Sequence, residues 1–260
     1  MSAVSLTTLL LFAALTRQQL DYWNNSETLF RHALAVTENN YVAHSNLGLV
    51  LAKDGQTDEA IRQFQAAILL EPNSASLHNN LGMIHGENGQ NEQAFREFQT
   101  AVQLQPNNAG LRNNLGIALE KIGRTDEAVR QYQEAIRLQP DFATAYNNLG
   151  FLMAKNGENL DQACAMIDHA VRLEPKNAAY LDSLGWVLFK LNRPVEALNY
   201  ELQSIQNSNR PDPAIYDHLG DIYAALNQRI QAANAWQKSL VIEPNQQIQK
   251  KLTGLFISIP

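Results

Sequence analysis

Residues 109–142 read AGLRNNLGIALEKIGRTDEAVRQYQEAIRLQPDF, and similar stretches recur on both sides of them at a fixed spacing. Glycines mark the recurrence: four stand 34 residues apart and two more follow at steps of 35, at Gly48, Gly82, Gly116, Gly150, Gly185 and Gly220. An alanine, an aromatic residue and a proline keep the same period, as at Ala128, Tyr132 and Pro140. A period of this length indicates an array of stacked repeats rather than one globule.

Two stripes at helical spacing run through the quoted stretch, one on each side of Gly123. The first stripe has residues at i, i+3, i+4 and i+7, namely Arg112, Leu115, Gly116 and Leu119. The second stripe is formed by Ala128, Tyr132 and Ala135. Small residues in both stripes allow two helices to approach closely. Each repeat therefore predicts a pair of antiparallel helices.

The residue between the two helices of each repeat predicts a tight turn. It is a glycine four times and then an asparagine twice, at Gly55, Gly89, Gly123, Gly157, Asn192 and Asn227. Glycine is the best residue for a left-handed helix C-cap, and asparagine is the usual second choice. Thr57, Asn91 and Thr125 are predicted to cap the second helices. Prolines end most second helices, at Pro72, Pro106, Pro140, Pro175 and Pro244.

This pattern resembles the tetratricopeptide repeat (TPR), which has a small residue at position 8, Ala at 20, an aromatic at 24, Ala at 27 and Pro at 32. In the first full unit these are Gly48, Ala60, Phe64, Ala67 and Pro72. The resemblance covers residues 41–244. It implies an all-α fold, a right-handed TPR superhelix built from helix-turn-helix repeats.

The repeat frame divides the chain into consecutive parts. It predicts an apolar N-terminal helix with a degenerate repeat at 1–40, then repeats at 41–74, 75–108, 109–142, 143–177, 178–212 and 213–246, and a capping helix and tail at 247–260. The fifth repeat is divergent. Glu201 replaces the aromatic at position 24, Ser204 replaces the alanine at position 27, and residues 207–213 predict a longer loop.

The charge, the cysteine count and the absence of catalytic motifs in the sequence exclude several classes of function. The chain has 260 residues and a net charge of −6, which argues against nonspecific nucleic-acid binding. A single cysteine, Cys164, excludes an intramolecular disulfide. No phosphate-binding loop, nucleophile elbow or zinc spacing is present. His44 and His78 share position 4, where a packing role is expected. We therefore expect no enzyme activity, no catalytic residue, no cofactor and no metal site.

The N-terminus leaves two interpretations open. Residues 3–15 are apolar and uncharged, and they are too few to span a bilayer alone. They fit a degenerate first repeat, or the tail of a transmembrane helix. Residues 20–34, continuing to 43–48, resemble the junction of bacterial multipass proteins similar to O-mannosyltransferases that have a TPR tail. That resemblance implies membrane contact at residues 3–15 and extracytoplasmic repeats, which recruit substrates for a membrane glycosyltransferase. The alternatives are a cytoplasmic chain and self-association into an oligomer through the apolar N-terminus.

The TPR resemblance also implies a binding groove, since the first helices of such arrays line a concave surface. Its predicted lining has three parts: asparagines at positions 5 and 6, a lysine row at position 13 and an aromatic floor. They are Asn46, Asn80, Asn114 and Asn148; Asn79, Asn113 and Asn147; Lys53, Lys121, Lys155 and Lys190; and Phe151, Trp186 and Phe189. The asparagines resemble those of the TPR region of O-GlcNAc transferases, which hold the backbone of an extended peptide.

We therefore predict a protein-interaction scaffold that binds a protein or peptide in this groove. The competing interpretation assigns the asparagines to helix packing.

Overall fold

The computed structural model describes Thr8, Leu11, residues 23–157 and residues 159–257. These residues form fourteen α-helices and no strand. The predicted all-α fold of helix-turn-helix repeats is confirmed. The chain divides into two compact units, Met1–Ala128 and Val129–Pro260.

Consecutive helices pack against one another in the first unit. Its helices are α1 (Ser26–Val36), α2 (Tyr41–Lys53), α3 (Thr57–Leu70), α4 (Ala75–Glu87), α5 (Asn91–Leu104) and α6 (Ala109–Lys121), followed by the start of α7 (Thr125–Leu138). The tightest pairs are α2 with α3 and α4 with α5, as the repeat frame predicts. A core of leucine, isoleucine, alanine and phenylalanine side chains fills the space between them, including Leu47, Leu51, Phe64, Leu77 and Leu81.

Glycine is required where a first helix meets the aromatic residue of its partner. A Cβ atom built on Gly48 would lie 2.7 Å from the Phe64 ring, and one on Gly82 would lie 2.9 Å from the Phe98 ring. Both distances are shorter than carbon atoms tolerate, so a larger residue at either position would require the ring or the helix to shift. Because Phe64 is fully buried, this approach closes the core of the repeat.

The second unit continues the same scheme. It contains the rest of α7, then α8 (Ala143–Lys155), α9 (Leu160–Leu173), α10 (Ala178–Lys190), α11 (Pro194–Asn207), α12 (Pro213–Ala225), α13 (Arg229–Ile242) and α14 (Gln246–Ile257). Helices α8, α10 and α12 are neighbours in space as well as first members of their repeats. Helix α14 packs against α13, where Ile248 joins Ala232 and Trp236 in a small core.

The turns between the paired helices confirm the left-handed prediction. The four glycines have φ between 72° and 79°, and the two asparagines have φ of 58° and 59°. The predicted N-caps of the second helices are wrong: Thr57 and Asn91 are the first helical residues, and Gln56 and Gln90 hold the cap position without a side-chain cap bond. The main chain explains the difference, because the Gln56 N–H donates to Leu51 O and Gln56 O accepts from Ala60 N–H.

The N-terminal segment of residues 3–15 lies outside the described residues except for Thr8 and Leu11, so its membrane and self-association interpretations stay predictions. In the described part of the chain, no helix combines the length and the apolar character that crossing a bilayer requires.

Candidate binding surface and polar cluster

Apolar side chains at position 9 stay exposed on the first helices of the first unit. Leu49 of α2, Met83 of α4 and Ile117 of α6 are 48%, 46% and 38% exposed. The asparagines at position 6 of the same helices, Asn46, Asn80 and Asn114, are partly buried. Each first helix of this unit therefore places an exposed apolar group three residues after a partly accessible amide.

Amide groups of neighbouring repeats are in contact. Asn114 Nδ2 of α6 donates to Asn79 Oδ1 of α4 at 2.9 Å, and Asn79 Nδ2 lies 3.5 Å from the Met83 sulfur. An open cleft of about 290 Å³ lies beside this pair and is lined by Ser76, Asn79, Gln105, Asn108, Gly110, Leu111 and Asn114. A side-chain amide has two donor hydrogens and an acceptor oxygen, so one amide–amide bond does not use its full capacity.

Two of the predicted groove asparagines are placed differently. Asn113 and Asn147, both at position 5, are only 4% and 8% exposed. Asn79, at the same position of its own repeat, is partly accessible. At Asn113 and Asn147 the amide is enclosed by packing, so we leave these two residues out of the proposed contact set.

The four predicted groove lysines are exposed and end their helices. Lys53, Lys121, Lys155 and Lys190 are the last residues of α2, α6, α8 and α10. A cation in the last turn complements the helix dipole, so each lysine has a local role as well. Lys190 has a further contact, since its Nζ lies 5.2 Å from the centroid of the Trp186 ring, within cation–π range.

An aromatic row crosses three first helices of the second unit. The rings of Phe151 on α8 and Trp186 on α10 have centroids 5.0 Å apart, and the Trp186 and His218 rings are 6.0 Å apart. Phe189 is partly buried and packs against the core of this unit. The structure therefore brings Phe151 and Trp186 together, whereas Phe189 contributes to the core.

A polar cluster lies next to this aromatic row. Asp182 of α10, Glu201 of α11 and His218 of α12 approach one another, with 2.7 Å between His218 Nδ1 and Asp182 Oδ1 and 3.8 Å between His218 Nδ1 and Glu201 Oε1. Glu201 is fully buried. Burial raises the pKa of its carboxyl group well above the usual value, and neighbouring Asp182 raises it further.

The repeat pattern does not predict this convergence. In the pattern Glu201 stands out only because it replaces the aromatic residue at position 24, and Asp182 and His218 do not stand out at all. Glu201 itself indicates such a cluster, because a charged residue at a core position of the repeat needs a polar partner nearby. Frame positions 5 and 6 of the adjoining first helices are where those partners occur.

A second polar group holds the last helix. Lys251 Nζ of α14 donates to Asp217 Oδ1 at 2.8 Å and to Asp221 Oδ2 at 2.7 Å, both on α12. Trp236 Nε1 donates to Asp221 Oδ1 at 3.2 Å. Here the lysine supplies the positive charge that two neighbouring carboxylates require.

Comparison with known proteins agrees with this architecture. A family model described as TPR repeat matches residues 50–89, 84–123 and 121–157. Residues 50–157 therefore match TPR repeats, which confirms the TPR resemblance of the sequence over this part of the chain. No curated protein matches the chain by sequence. The resemblances to O-mannosyltransferase-like proteins and to O-GlcNAc transferases stay predictions.

Solved structures share the fold at low sequence identity. The APC/C hetero-tetramer Cut9–Hcn1 aligns with a TM-score of 0.79 at 19% identity, over 87% of this chain and 45% of that one, so the present chain spans less than half of that protein. The pilF protein of Pseudomonas aeruginosa aligns with a TM-score of 0.68 at 21% identity, over 82% and 96% of the two chains. YrrB, described as a TPR protein with an unusual peptide-binding site, aligns with a TM-score of 0.54 at 19% identity, over 77% and 97%.

Proposed function

We propose that the chain is a protein-interaction scaffold whose first helices bind an extended peptide segment. The observation that carries the proposal is the repeated pair of an exposed apolar side chain and a partly accessible asparagine on α2, α4 and α6. Apolar side chains exposed at regular spacing are typical of surfaces that bind partners. TPR repeats in general serve as protein-interaction scaffolds, which agrees with this assignment.

The amides explain how such a surface could hold many sequences. A side-chain amide pairs with both the N–H and the C=O of a peptide unit, and an extended peptide repeats those units along its length. Asn46, Asn80 and Asn114 of the first unit repeat the amide in the same way, and Asn148 has the same frame position in the second unit. Binding through the backbone gives broad rather than sequence-specific recognition.

Side chains around the amides would supply selectivity. The exposed lysines Lys53, Lys121 and Lys155 favour acidic peptide segments because opposite charges attract across a surface. Trp186 and Phe151 form an aromatic anchor in the second unit, and buried aromatic contacts contribute strongly to binding free energy. The preferred ligand is therefore an extended acidic segment that contains an apolar residue. The solved structure of YrrB gives a precedent for peptide binding on this fold.

The test uses a library of short unstructured peptides displayed on phage and selected on the full chain. The dissociation constant of the best peptide is then measured by fluorescence anisotropy for the parent and for Asn46→Ala/Asn80→Ala/Asn114→Ala, whose three positions all lie in the first unit. Each lost hydrogen bond costs about 0.5–1.5 kcal/mol, so the triple variant should bind about one to three orders of magnitude more weakly. The matched control changes three exposed asparagines outside this surface, at Asn73, Asn107 and Asn156.

Two results would contradict the proposal. Equal affinity of parent and triple variant would show that the amides do not hold the peptide. Loss of the native circular-dichroism spectrum in the triple variant, with the control variant still folded, would assign these asparagines to packing.

A further inference from the structure

Three side chains from three successive helices bring metal-binding atoms to one point. One donor atom each from Asp182, Glu201 and His218 lies within 4.8 Å of the other two. The Glu201 side chain is fully buried and lies on the core side of this group. The side chains of Asp182 and His218 lie nearer the solvent and are 14% and 18% exposed. The group is therefore buried on one side and reachable from the other.

Glu201 is the unusual member. Both of its carboxylate oxygens are buried and lack a hydrogen-bond partner among the described residues. A buried carboxylate without a hydrogen-bond donor raises the free energy of the folded state. Burial removes its hydration, and no protein group replaces the hydrogen bonds that water made. Gly185 lies directly against it: a Cβ on Gly185 would be 3.0 Å from Glu201 Cγ and from Glu201 Oε1. The glycine leaves the space in which this side chain extends toward Asp182 and His218.

The charges of this group also favour a cation at this point. With both carboxylates ionised and the imidazole neutral, Asp182 and Glu201 place two negative charges side by side. The neighbouring group of Asp217 and Asp221 solves the same problem with Lys251, whose ammonium contacts both carboxylates. Asp182 and Glu201 have no lysine or arginine among their described ion-pair partners. A divalent cation would neutralise the two charges.

We propose that Asp182, Glu201 and His218 bind one divalent transition-metal ion, of which zinc is the natural probe. Imidazole nitrogen together with carboxylate oxygen suits zinc, cobalt, manganese and iron, whereas calcium and magnesium prefer sites made of oxygen alone. Three protein ligands leave at least one coordination position for water. The proposal does not depend on peptide binding by the first helices.

The observed distances are close to those that a zinc ion needs. Zinc bonds of about 2.0–2.2 Å in a tetrahedral site separate neighbouring donor atoms by roughly 3.4 Å. His218 Nδ1 is now 2.7 Å from Asp182 Oδ1 and 3.8 Å from Glu201 Oε1. Small side-chain rotations therefore suffice. The metal would bind the lone pair of His218 Nδ1, which is available in the tautomer that has its proton on Nε2.

Bound metal would join parts of two repeats. Asp182 and Glu201 belong to the fifth repeat and His218 to the sixth, and the loop of residues 208–212 separates α11 from α12. A ligand that binds only the native state raises its stability by mass action. We therefore expect the ion to raise the melting temperature of the protein and to fix the orientation of α12 relative to α10 and α11.

The experiment treats the full chain with a chelator, removes the chelator and titrates zinc chloride by isothermal titration calorimetry. One equivalent should bind. Removing a ligand should weaken binding at least about 100-fold, since loss of an outer-shell partner alone costs about 10–100-fold. The test variants are Glu201→Gln and His218→Ala. The matched control is His78→Ala, because His78 forms a 2.6 Å pair with Glu97 but belongs to no group of three potential metal ligands among the described residues.

Cobalt chloride gives an independent spectroscopic readout. Cobalt bound by nitrogen and oxygen ligands absorbs visible light, and it should quench the fluorescence of Trp186, whose ring lies 6.0 Å from the His218 ring. Both signals should be lost in His218→Ala and retained in His78→Ala. Trp186→Phe should remove the quenching while the visible absorption remains.

The proposal fails if the parent binds zinc no more tightly than Glu201→Gln and His218→Ala, because binding would then be adventitious. It also fails if neither metal binds, in which case Glu201 holds a proton shared with Asp182. If Glu201→Gln does not fold, His218→Ala decides the question, since His218 is partly exposed and its replacement disturbs packing less.

Discussion

The second and fifth repeats share a close contact between a glycine and a large side chain, but that side chain is apolar in the second repeat and acidic in the fifth. In the second repeat, Gly82 of α4 lies against the aromatic ring of Phe98 on α5. In the fifth, Gly185 of α10 lies against the carboxyl-bearing side chain of Glu201 on α11. The glycine and the close approach are kept, whereas the large residue changes from apolar to charged. The repeat geometry therefore requires a small residue opposite a large one and does not require that the large one be apolar.

The fifth repeat balances this change with polar contacts. Glu201 is accompanied by Asp182 and His218, and Ser204 donates a hydrogen bond to Ala178 O at 2.8 Å where the second repeat has Ala101. The sixth repeat shows the same hydrogen bond, from Ser239 to Pro213 O at 2.7 Å, while keeping an aromatic residue, Trp236. Polar substitutions in this fold are thus accommodated when a helix packed against them supplies a polar partner.

The largest expected effect comes from placing a carboxylate in a regular repeat, where the corresponding positions hold the amides of Asn79 and Asn114 rather than Asp182 and His218. Phe98→Glu should lower the free energy of unfolding by at least about 4 kcal/mol, since loss of a buried phenylalanine costs about 3–5 and an unpaired carboxylate adds to it. Urea denaturation followed by circular dichroism measures the change. Phe98→Leu is the control for lost ring contacts alone. A loss below about 2 kcal/mol would mean that regular repeats also tolerate the charge.

A smaller effect is expected from closing the glycine contact. In Gly82→Ala the new Cβ would lie 2.9 Å from the Phe98 ring, so the helices must separate, at a cost of about 1–3 kcal/mol. Gly86→Ala on the same helix is the matched control, because the nearest atom there is 3.8 Å away. That change should stabilise by about 0.5–1 kcal/mol through helix propensity. Changes of the same sign at both sites would contradict the packing argument.

The smallest change in stability is expected when the fifth repeat is returned to the common pattern. Glu201→Phe should raise the free energy of unfolding of the metal-free protein by roughly 1 kcal/mol, because apolar replacement of a buried charge is often neutral or stabilising. The same variant should no longer bind zinc. Thermal melts with and without zinc chloride give both results. A loss of more than about 2 kcal/mol without metal would show that Glu201 stabilises the fold directly.

Features that depend on the local main chain were predictable from the sequence. The left-handed turns are an example: Asn192 and Asn227 replace glycine, and both have positive φ as expected. The capping prediction at Thr57 and Asn91 was wrong even though these residue types favour caps. The preceding turn already ends α2 and α4 with main-chain bonds, which leaves Gln56 and Gln90 at the cap positions.

Features that depend on contacts between repeats were less predictable. Asn79 and Asn113 have the same frame position, yet one is partly accessible and the other is buried, because the neighbouring helices enclose them to different degrees. The Asp182, Glu201 and His218 cluster needs three helices to meet. Within the sequence of any one of these helices, none of the three residues indicates a metal site. Periodicity alone therefore does not predict the cluster.

The lysine that anchors α14 also decides where a further repeat could be inserted without breaking its contacts. Asp217 and Asp221, which hold Lys251, occupy positions 5 and 9 of the sixth repeat. Position 9 is apolar in the five repeats before it, so Asp221 is the departure from the pattern. The sixth repeat is therefore specialised for holding α14. A repeat inserted before residue 213 would leave this contact intact. A repeat inserted after residue 242 would separate Lys251 from its two carboxylates and break the contact.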